Sequence, residues 1–302
     1  MSKNTNLRTA DRVKNDEFYT TFSSINEEIN TNEHGYRPFF KDQVVYCNCD
    51  DPEESNFWKF FKAVFKAYGI KKLISTHYTQ DGSSSYKLEY DGERVVKTEL
   101  EGNGDFRSPE CVELLKESDI VVTNPPFSLF RDFIELLMKY NKKFAIIGNM
   151  NAITYKEVFP LIKENKIWLG YSQPKIFIQP DGSEKKFGNI LWYTNLDIPK
   201  RHEPMLLGWK FEKGLEMGIY QKYDNYDAYN VDKVCQIPRD YDGVLGVPIT
   251  FLDKYCPEQF EIIDGIGRYS ILNNEATKKD GKYLSMLNGE AKYFRIIIKK
   301  RV

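Results

Sequence analysis

Asp119-Ile120-Val121-Val122-Thr123-Asn124-Pro125-Pro126-Phe127 is the stretch on which the reading of the fold turns. Ile120, Val121 and Val122 form a short β-branched run bounded by turn-forming residues, the pattern of a strand buried on both faces. Pro125 cannot donate to a sheet ladder, and Pro126 biases Pro125 toward an extended conformation, so the strand is predicted to end at Thr123 or Asn124. The two prolines hold the carbonyls of the turn in a narrow range of directions, with an amide side chain before them and an aromatic ring after. Such a turn suits a flat ring carrying an amino group. One N–H of that amine can donate to the Asn124 side-chain oxygen and the other to the Pro125 carbonyl, while Phe127 stacks on the ring. Adenine fits this description. A structural strand-to-helix turn without chemistry is the competing reading.

Working upstream, Gln43–Cys49 reads as the first central strand, followed by the acidic loop Asp50-Asp51-Pro52-Glu53-Glu54-Ser55-Asn56. Phe57, Phe60, Phe61, Val64 and Phe65 recur at helical spacing and predict a helix over about 55–68 with one face on the sheet. Strand, acidic loop and helix open a doubly wound α/β fold, in which ligands bind beyond the carboxyl ends of the strands. Lys71–Ser75 is short and apolar enough for a second strand. Many cofactor-binding folds place an acid at its end to hold ribose hydroxyls; here the chain continues Thr76-His77-Tyr78, and no ribose ligand is identified. Tyr86-Leu88-Tyr90 and Val95-Lys97 alternate as in a hairpin insertion.

Downstream, Leu129, Phe133, Leu136 and Leu137 form a helical stripe, and Lys142–Gly148 reads as the next parallel strand. A helix is expected over about 156–165, then strands at Ile167–Gly170, Lys175–Ile178 and Gly188–Tyr193, the last few antiparallel about the Asp181-Gly182 turn. Trp192 and Tyr193 alternate faces in such a strand, so only one should face the core. The other is a candidate second wall for an extruded base, with ordinary packing the equal alternative.

Asn124-Pro-Pro-Phe127 at a strand end resembles the Asp/Asn/Ser-Pro-Pro-aromatic motif of the amino-methylating, S-adenosylmethionine-dependent DNA methyltransferases. Further blocks narrow the resemblance to the EcoRI modification methylase family: Asp16-Glu-Phe-Tyr-Thr20, Val44–Pro52 with Ser55-Asn-Phe57, Trp192–Leu196 and Gly246–Tyr255. The resemblance runs from about residue 16 to the C-terminus. It implies a Rossmann-like α/β class I methyltransferase with a mostly parallel central sheet and a smaller C-terminal recognition part. It implies N6 methylation of adenine in double-stranded DNA, catalysed at Asn124, Pro125, Pro126 and Phe127.

The resemblance also implies the ligand contacts. Phe18, Tyr19 and Thr20 would touch the methionine part of S-adenosylmethionine; the competing reading is a helix N-terminus whose acids complement the dipole. Asn48, Asp50, Asp51, Pro52, Ser55 and Asn56 would line the loop after the first strand, where carboxylates suit a sulfonium ligand bearing an ammonium group. That loop has no glycine between Asn48 and Tyr68, unlike the usual methyltransferase loop, and the EcoRI family shares this departure. In Gly104-Asp105-Phe106, Asp105 would accept from the cofactor adenine amine and Phe106 would pack beside the ring. Alternatively Asp105 caps the helix beginning near Pro109, for which Ser108 is the better cap.

Residues 1–15 are polar and read as a loose arm, 16–196 as the catalytic domain, and 197–302 as a part rich in Tyr, Asn and Pro suited to reading base edges. A net charge of −1 decides nothing about DNA, because a nucleic-acid footprint is a local field. Ile271–Val302 does hold eight Lys/Arg against three acids, which serves a solvated face or a phosphate contact equally. Five cysteines, an odd number, suit reduced thiols, and no metal site is expected from the scattered histidines. No apolar run approaches about 18 residues, so a cytoplasmic protein without a membrane segment is expected. The target base must leave the duplex to be methylated. The chain has no Pro-Cys dipeptide, so a cytosine-C5 mechanism lacks its nucleophile. Cytosine N4, RNA, a protein glutamine, or a catalytically inactive DNA-binding relative remain alternatives, and a cognate restriction endonuclease is an expected partner.

Overall fold

The computed structural model describes residues 18–31, 34–49, 51–79, 84–179, 181–266, 278–279, 282–283 and 285–301. The N-terminal arm, Asp16, Glu17 and Asp50 lie outside them. The chain divides into two compact units, one made of 1–150 with 169–198 and the other of 151–168 with 199–302.

In the first unit, β1 (Tyr19–Thr20) leads into α1 (Phe22–Ile29), where the Thr21 hydroxyl accepts from the Ser24 amide as N-cap. β2 (Val44–Cys47) is buried throughout. α2 (Asn56–Tyr68) begins at Ser55, whose hydroxyl accepts from the Phe57 amide, and stops at Gly69 in the left-handed conformation, φ 64°. Phe57, Phe60, Phe61 and Phe65 are its buried face, as their spacing predicts. β3 (Lys72–Thr76) is followed by the hairpin β4 (Tyr86–Tyr90) and β5 (Val95–Glu99). Ser108 caps α3 (Pro109–Glu117), and β6 (Ile120–Thr123) is buried along its length and stops where Asn124 begins the proline turn. α4 (Phe130–Lys139) buries Phe133, Ile134 and Leu137, and β7 (Lys143–Asn149) follows. β8 (Trp168–Leu169), β9 (Ile176–Ile178), β10 (Glu184–Lys186) and β11 (Ile190–Thr194) complete the strands of this part.

The large sheet has eight strands in the order β5-β4-β3-β2-β6-β7-β11-β8. β3, β2, β6 and β7 are parallel neighbours, flanked by antiparallel β4 and β5 on one side and antiparallel β11 on the other. The sheet is therefore mixed, which corrects the expectation of a mostly parallel one. The cause on one flank is loop length. A parallel return needs a crossover of about a dozen residues or more, usually a helix. Residues 77–85 are too few for that, so β4 turns back on β3. Where helices do intervene, as α2 between β2 and β3 and α4 between β6 and β7, the strands run parallel.

Two further expectations change. The Asp181-Gly182 turn joins β9 to β10, whereas β11 pairs antiparallel with β7, Ile190 opposite Asn149 and Thr194 opposite Ala145. The apolar β11 matches the apolar β7, and the exposed Glu184-Lys185-Lys186 suits the outer hairpin arm. Trp192 and Tyr193 are both 0% exposed, so both faces of β11 are core. A strand inside a wide sheet covered on both sides loses the in–out alternation of a half-exposed one.

The second unit holds a five-stranded sheet in the order Gln221–Lys222, Tyr229–Asn230, Val244–Pro248, Arg295–Lys300, Phe260–Ile266. Leu245, Val247, Ile262, Ile296, Ile297 and Ile298 bury its core. The helix expected over 156–165 spans only Phe159–Lys163, because Pro160 lacks an N–H and fits only the first turn. The basic C-terminal stretch is partly internal: Arg295 pairs with Asp232 at 3.2 Å and Lys300 with Asp242 at 3.1 Å. No described helix is long and apolar enough to cross a membrane.

Candidate active site

The parallel core strands run in one direction, so Asn48, His77 and Asn124 follow their carboxyl ends at one edge of the sheet. Thr123 ties two of those ends together, its hydroxyl accepting from the Cys49 amide at 3.1 Å. Pro126 is extended, φ −54° and ψ 126°, and Phe127 then opens a short 3-10 turn that leads into α4. Pro125 is buried, while Asn124 and Phe127 are half-buried. The Asn124 amide nitrogen donates to the Phe18 carbonyl at 2.7 Å. With its nitrogen held there, the orientation of the Asn124 amide, and so of its oxygen, is fixed.

Phe18 belongs to the chain entering β1, and the same short segment is gripped a second time. The Asn56 amide nitrogen donates to the Thr20 carbonyl at 2.8 Å. The opposite edge of β1 pairs with β9, Tyr19 against Ile178 and Thr20 against Phe177. β1 thus has a strand on one edge and two asparagine amides on the other. Beside it, Phe18 and Phe187 meet edge to face at 4.9 Å, with the Lys185 ammonium 4.6 Å from the Phe18 ring.

Asn48 is 2% exposed. Its backbone carbonyl accepts from the Thr76 hydroxyl at 3.3 Å. Among the described residues, neither end of its side-chain amide has a hydrogen-bond partner, and neither does the buried Thr20 hydroxyl. Leaving one such group buried and unsatisfied costs about 1–3 kcal/mol. Polar atoms placed this way suit a site that completes them with a polar ligand.

Asp51 sits with His77 and Tyr86. The His77 Nε2 lies 3.5 Å from its carboxylate, and the Tyr86 hydroxyl donates to it at 3.4 Å. The His77 and Tyr86 rings stack at 4.8 Å, only 8° from parallel. Burial, and then the Asp51 charge, push the Tyr86 phenol well above the usual tyrosine range, so it stays a donor. Gly104 brings the next segment against this group. It has φ 78°, and a Cβ there would lie 1.9 Å from the His77 carbonyl oxygen, so only glycine allows the approach.

Asp105, next to it, is engaged by its own neighbour. Arg107 donates from Nε to one carboxylate oxygen at 3.0 Å and from its terminal nitrogen to the other at 2.8 Å, while the Arg107 amide donates at 2.8 Å. Burial pushes this carboxyl up, but the Arg107 bonds more than offset it and hold it below the usual carboxylate range. Capping of α3 falls to Ser108 and not to Asp105. Phe106 is 4% exposed and meets Phe133 edge-on at 5.0 Å.

The structure brings Phe18, Thr20, Asn56 and Asn124 together directly, and Asn48, Asp51 and Asp105 to the same sheet edge. Pro52 is buried, Tyr19 is half-buried, and the Ser55 hydroxyl is used as a helix cap. Trp192 and Tyr193 do not offer a wall. Tyr193 donates to the Asn149 carbonyl at 2.9 Å, and Trp192 meets Phe57 edge-on at 5.9 Å inside the core. Sequence reasoning missed His77 with Tyr86, Arg107, and Phe187 with Lys185. Arg107 alone left a local signal, a guanidinium two residues from an acid.

Over residues 6–301 the chain matches the family described as adenine-specific methyltransferase EcoRI. It is 47% identical to the Type II methyltransferase M.EcoRI of Escherichia coli, over 98% of this chain and 96% of that protein. It is 40% identical to the Type II methyltransferase M.MpnI of Mycoplasma pneumoniae, over 97% of both chains. With M.MgeORF184P of Mycoplasma genitalium, also a Type II methyltransferase, it shares 39% identity over 97% of this chain and 98% of the relative. No solved structure matches. An Asn-Pro-Pro-Phe turn at the end of a central parallel strand and similarity along almost the whole chain agree: this chain belongs to the EcoRI family of adenine-specific methyltransferases.

Proposed function

We propose that the protein methylates N6 of a target adenine within a specific double-stranded DNA sequence, taking the methyl group from S-adenosylmethionine, with Asn124, Pro125, Pro126 and Phe127 as the catalytic turn. The observation that carries this reading is the position of Asn124 at the carboxyl end of a buried parallel strand, its amide nitrogen held by Phe18 at 2.7 Å.

The residues present suit the cofactor. S-adenosylmethionine, when bound, supplies a methyl group on a positively charged sulfonium. The unsatisfied Asn48 amide and Thr20 hydroxyl would hydrogen-bond it, and Asp51 would oppose its positive charge. Asp105 offers a further acceptor for its adenine amine. A carboxylate has about four lone-pair sites, and the three Arg107 bonds leave one for that role.

At the reacting centre the Asn124 oxygen and the Pro125 carbonyl would each accept one N6–H, and Phe127 would stack on the base. Those bonds hold the amine in a geometry that makes its lone pair available, and alignment with the methyl group supplies much of the rate. No side-chain nucleophile takes part. The target base reaches this turn only when rotated out of the duplex. In this reading the second unit carries target recognition, and the enzyme protects DNA from a cognate endonuclease.

Transfer of radiolabelled methyl from S-adenosylmethionine to unmethylated double-stranded DNA, followed by nucleoside analysis, tests this. Wild type is expected to yield N6-methyladenine, and Asn124→Ala to lose at least about 100-fold in rate, the loss set by removing one of the two contacts to the amine. Label in N4-methylcytosine, RNA or protein would refute the adenine assignment.

A further inference from the structure

Asn56 sits at the first helical position of α2, where the loop after β2 makes it look like a cofactor ligand. Its amide nitrogen is instead committed to the Thr20 carbonyl at 2.8 Å, and the Asn124 nitrogen is committed to the Phe18 carbonyl at 2.7 Å. The two acceptors are two residues apart in an extended segment, where alternate carbonyls face the same way. We propose that Asn56 is a positioning residue for the catalytic amide: it fixes the Phe18–Thr20 segment, and through Phe18 it fixes which way the Asn124 oxygen points.

The geometry explains why so remote a grip matters. β1 is only two residues long, so its ladder with β9 supplies few backbone bonds. A short strand held by few ladder bonds shifts easily, and its free edge is where Asn56 and Asn124 attach. The opposite end of the Asn56 contact is firm. The Ser55 cap fixes the start of α2, and the buried Phe57, Phe60 and Phe61 lock the helix to the core. Phe22 meets Phe60 edge-on at 5.5 Å, just beyond β1. The Thr20 carbonyl is thus referenced to a helix that is capped and packed into the core. Released from it, Phe18 would carry the Asn124 amide out of register, and displacements of about 1 Å in a catalytic group cost on the order of 100-fold in rate.

The proposal rests on the adenine methyltransferase reading, and the test separates the two. Asn56→Ala removes the donor. Asn56→Asp replaces it with a carboxylate facing the Thr20 carbonyl, yet an acid in the first helical turn is favourable for folding, so thermal melts should show both variants folded. The full-length variants are compared with wild type and Asn124→Ala in methyl transfer to unmethylated double-stranded DNA. Affinity for S-adenosylhomocysteine is measured by calorimetry. Both Asn56 variants are expected to lose about 10-fold or more in kcat at saturating cofactor, with the loss of cofactor affinity through Thr20 clearly smaller than the loss in kcat. Asn56→Asp should also recover activity as pH falls, because a protonated carboxyl donates where the ionised one cannot. An unchanged kcat in both variants overturns the proposal, as does a loss of kcat matched fold for fold by lost cofactor affinity. Wild type that fails to methylate adenine sinks the underlying reading before the variants are compared.

Discussion

Asn124 is defined as much by what its nitrogen does as by what its oxygen offers. A carboxylate at this position would face the Phe18 carbonyl without a proton to donate. Asn124→Asp is therefore predicted to lose at least about 10-fold in kcat at neutral pH. The carbonyl disfavours the ionised form and raises the carboxyl pKa, so activity returns below that pKa and is lost as pH rises through it. A pH–rate profile checks this: a profile parallel to wild type would refute it. Asp105 shows the opposite sign. Arg107 holds its folded pKa below the ordinary 3.8, so its contribution to stability is present above that value and lost as pH falls through the folded pKa. In Arg107→Met the acid-side fall in melting temperature should be shallower than in wild type.

At the scale of elements, one buried carboxylate organises a corner of the first unit. Glu28 of α1 is 0% exposed and accepts from the Tyr36 hydroxyl at 2.7 Å, the Tyr171 amide at 2.8 Å, and the Ser172 amide and hydroxyl at 2.6 and 2.8 Å. Burial raises its pKa against these bonds, yet four donors converge on two oxygens. Gly170 makes room for it, since a Cβ there would lie 2.1 Å from a Glu28 oxygen. Glu28→Gln turns one acceptor into a donor facing donors and is predicted to destabilise the fold by about 1–3 kcal/mol, read as a lower denaturant midpoint. None of this is visible in the sequence, where Glu28 is one acid of an ordinary amphipathic helix and two of its three partner residues, Tyr171 and Ser172, lie more than a hundred positions away. α2, by contrast, was legible end to end. Its cap, its aromatic stripe and its terminating glycine are all local, and local signals survive folding.

Across the whole molecule the same rule sorts what could be read. The core strands β2, β3, β6 and β7 were legible because each is a short apolar run between turn residues. The flank formed by β11 was not, because pairing partners are set by long-range packing, and Trp192 and Tyr193 both enter the core as a result. The Asn-Pro-Pro-Phe turn was legible as the end of a buried strand, while the Phe18 carbonyl that holds Asn124 was not. The basic C-terminal stretch read as open charge, yet Arg295 and Lys300 answer acids within their own unit.

The short β1 also sets an order of events during synthesis. The carbonyl that holds Asn124 belongs to a residue translated 106 positions earlier, and β1 meets its ladder partner only when Ile176–Ile178 has been made. Phe18 therefore waits through most of translation of this unit before it can dock. A chain cut short before β9 already contains the whole Asn124–Phe127 turn and lacks the strand that steadies β1. On the proposed function, an interrupted message would yield a fragment that has the turn but not the strand that orients it.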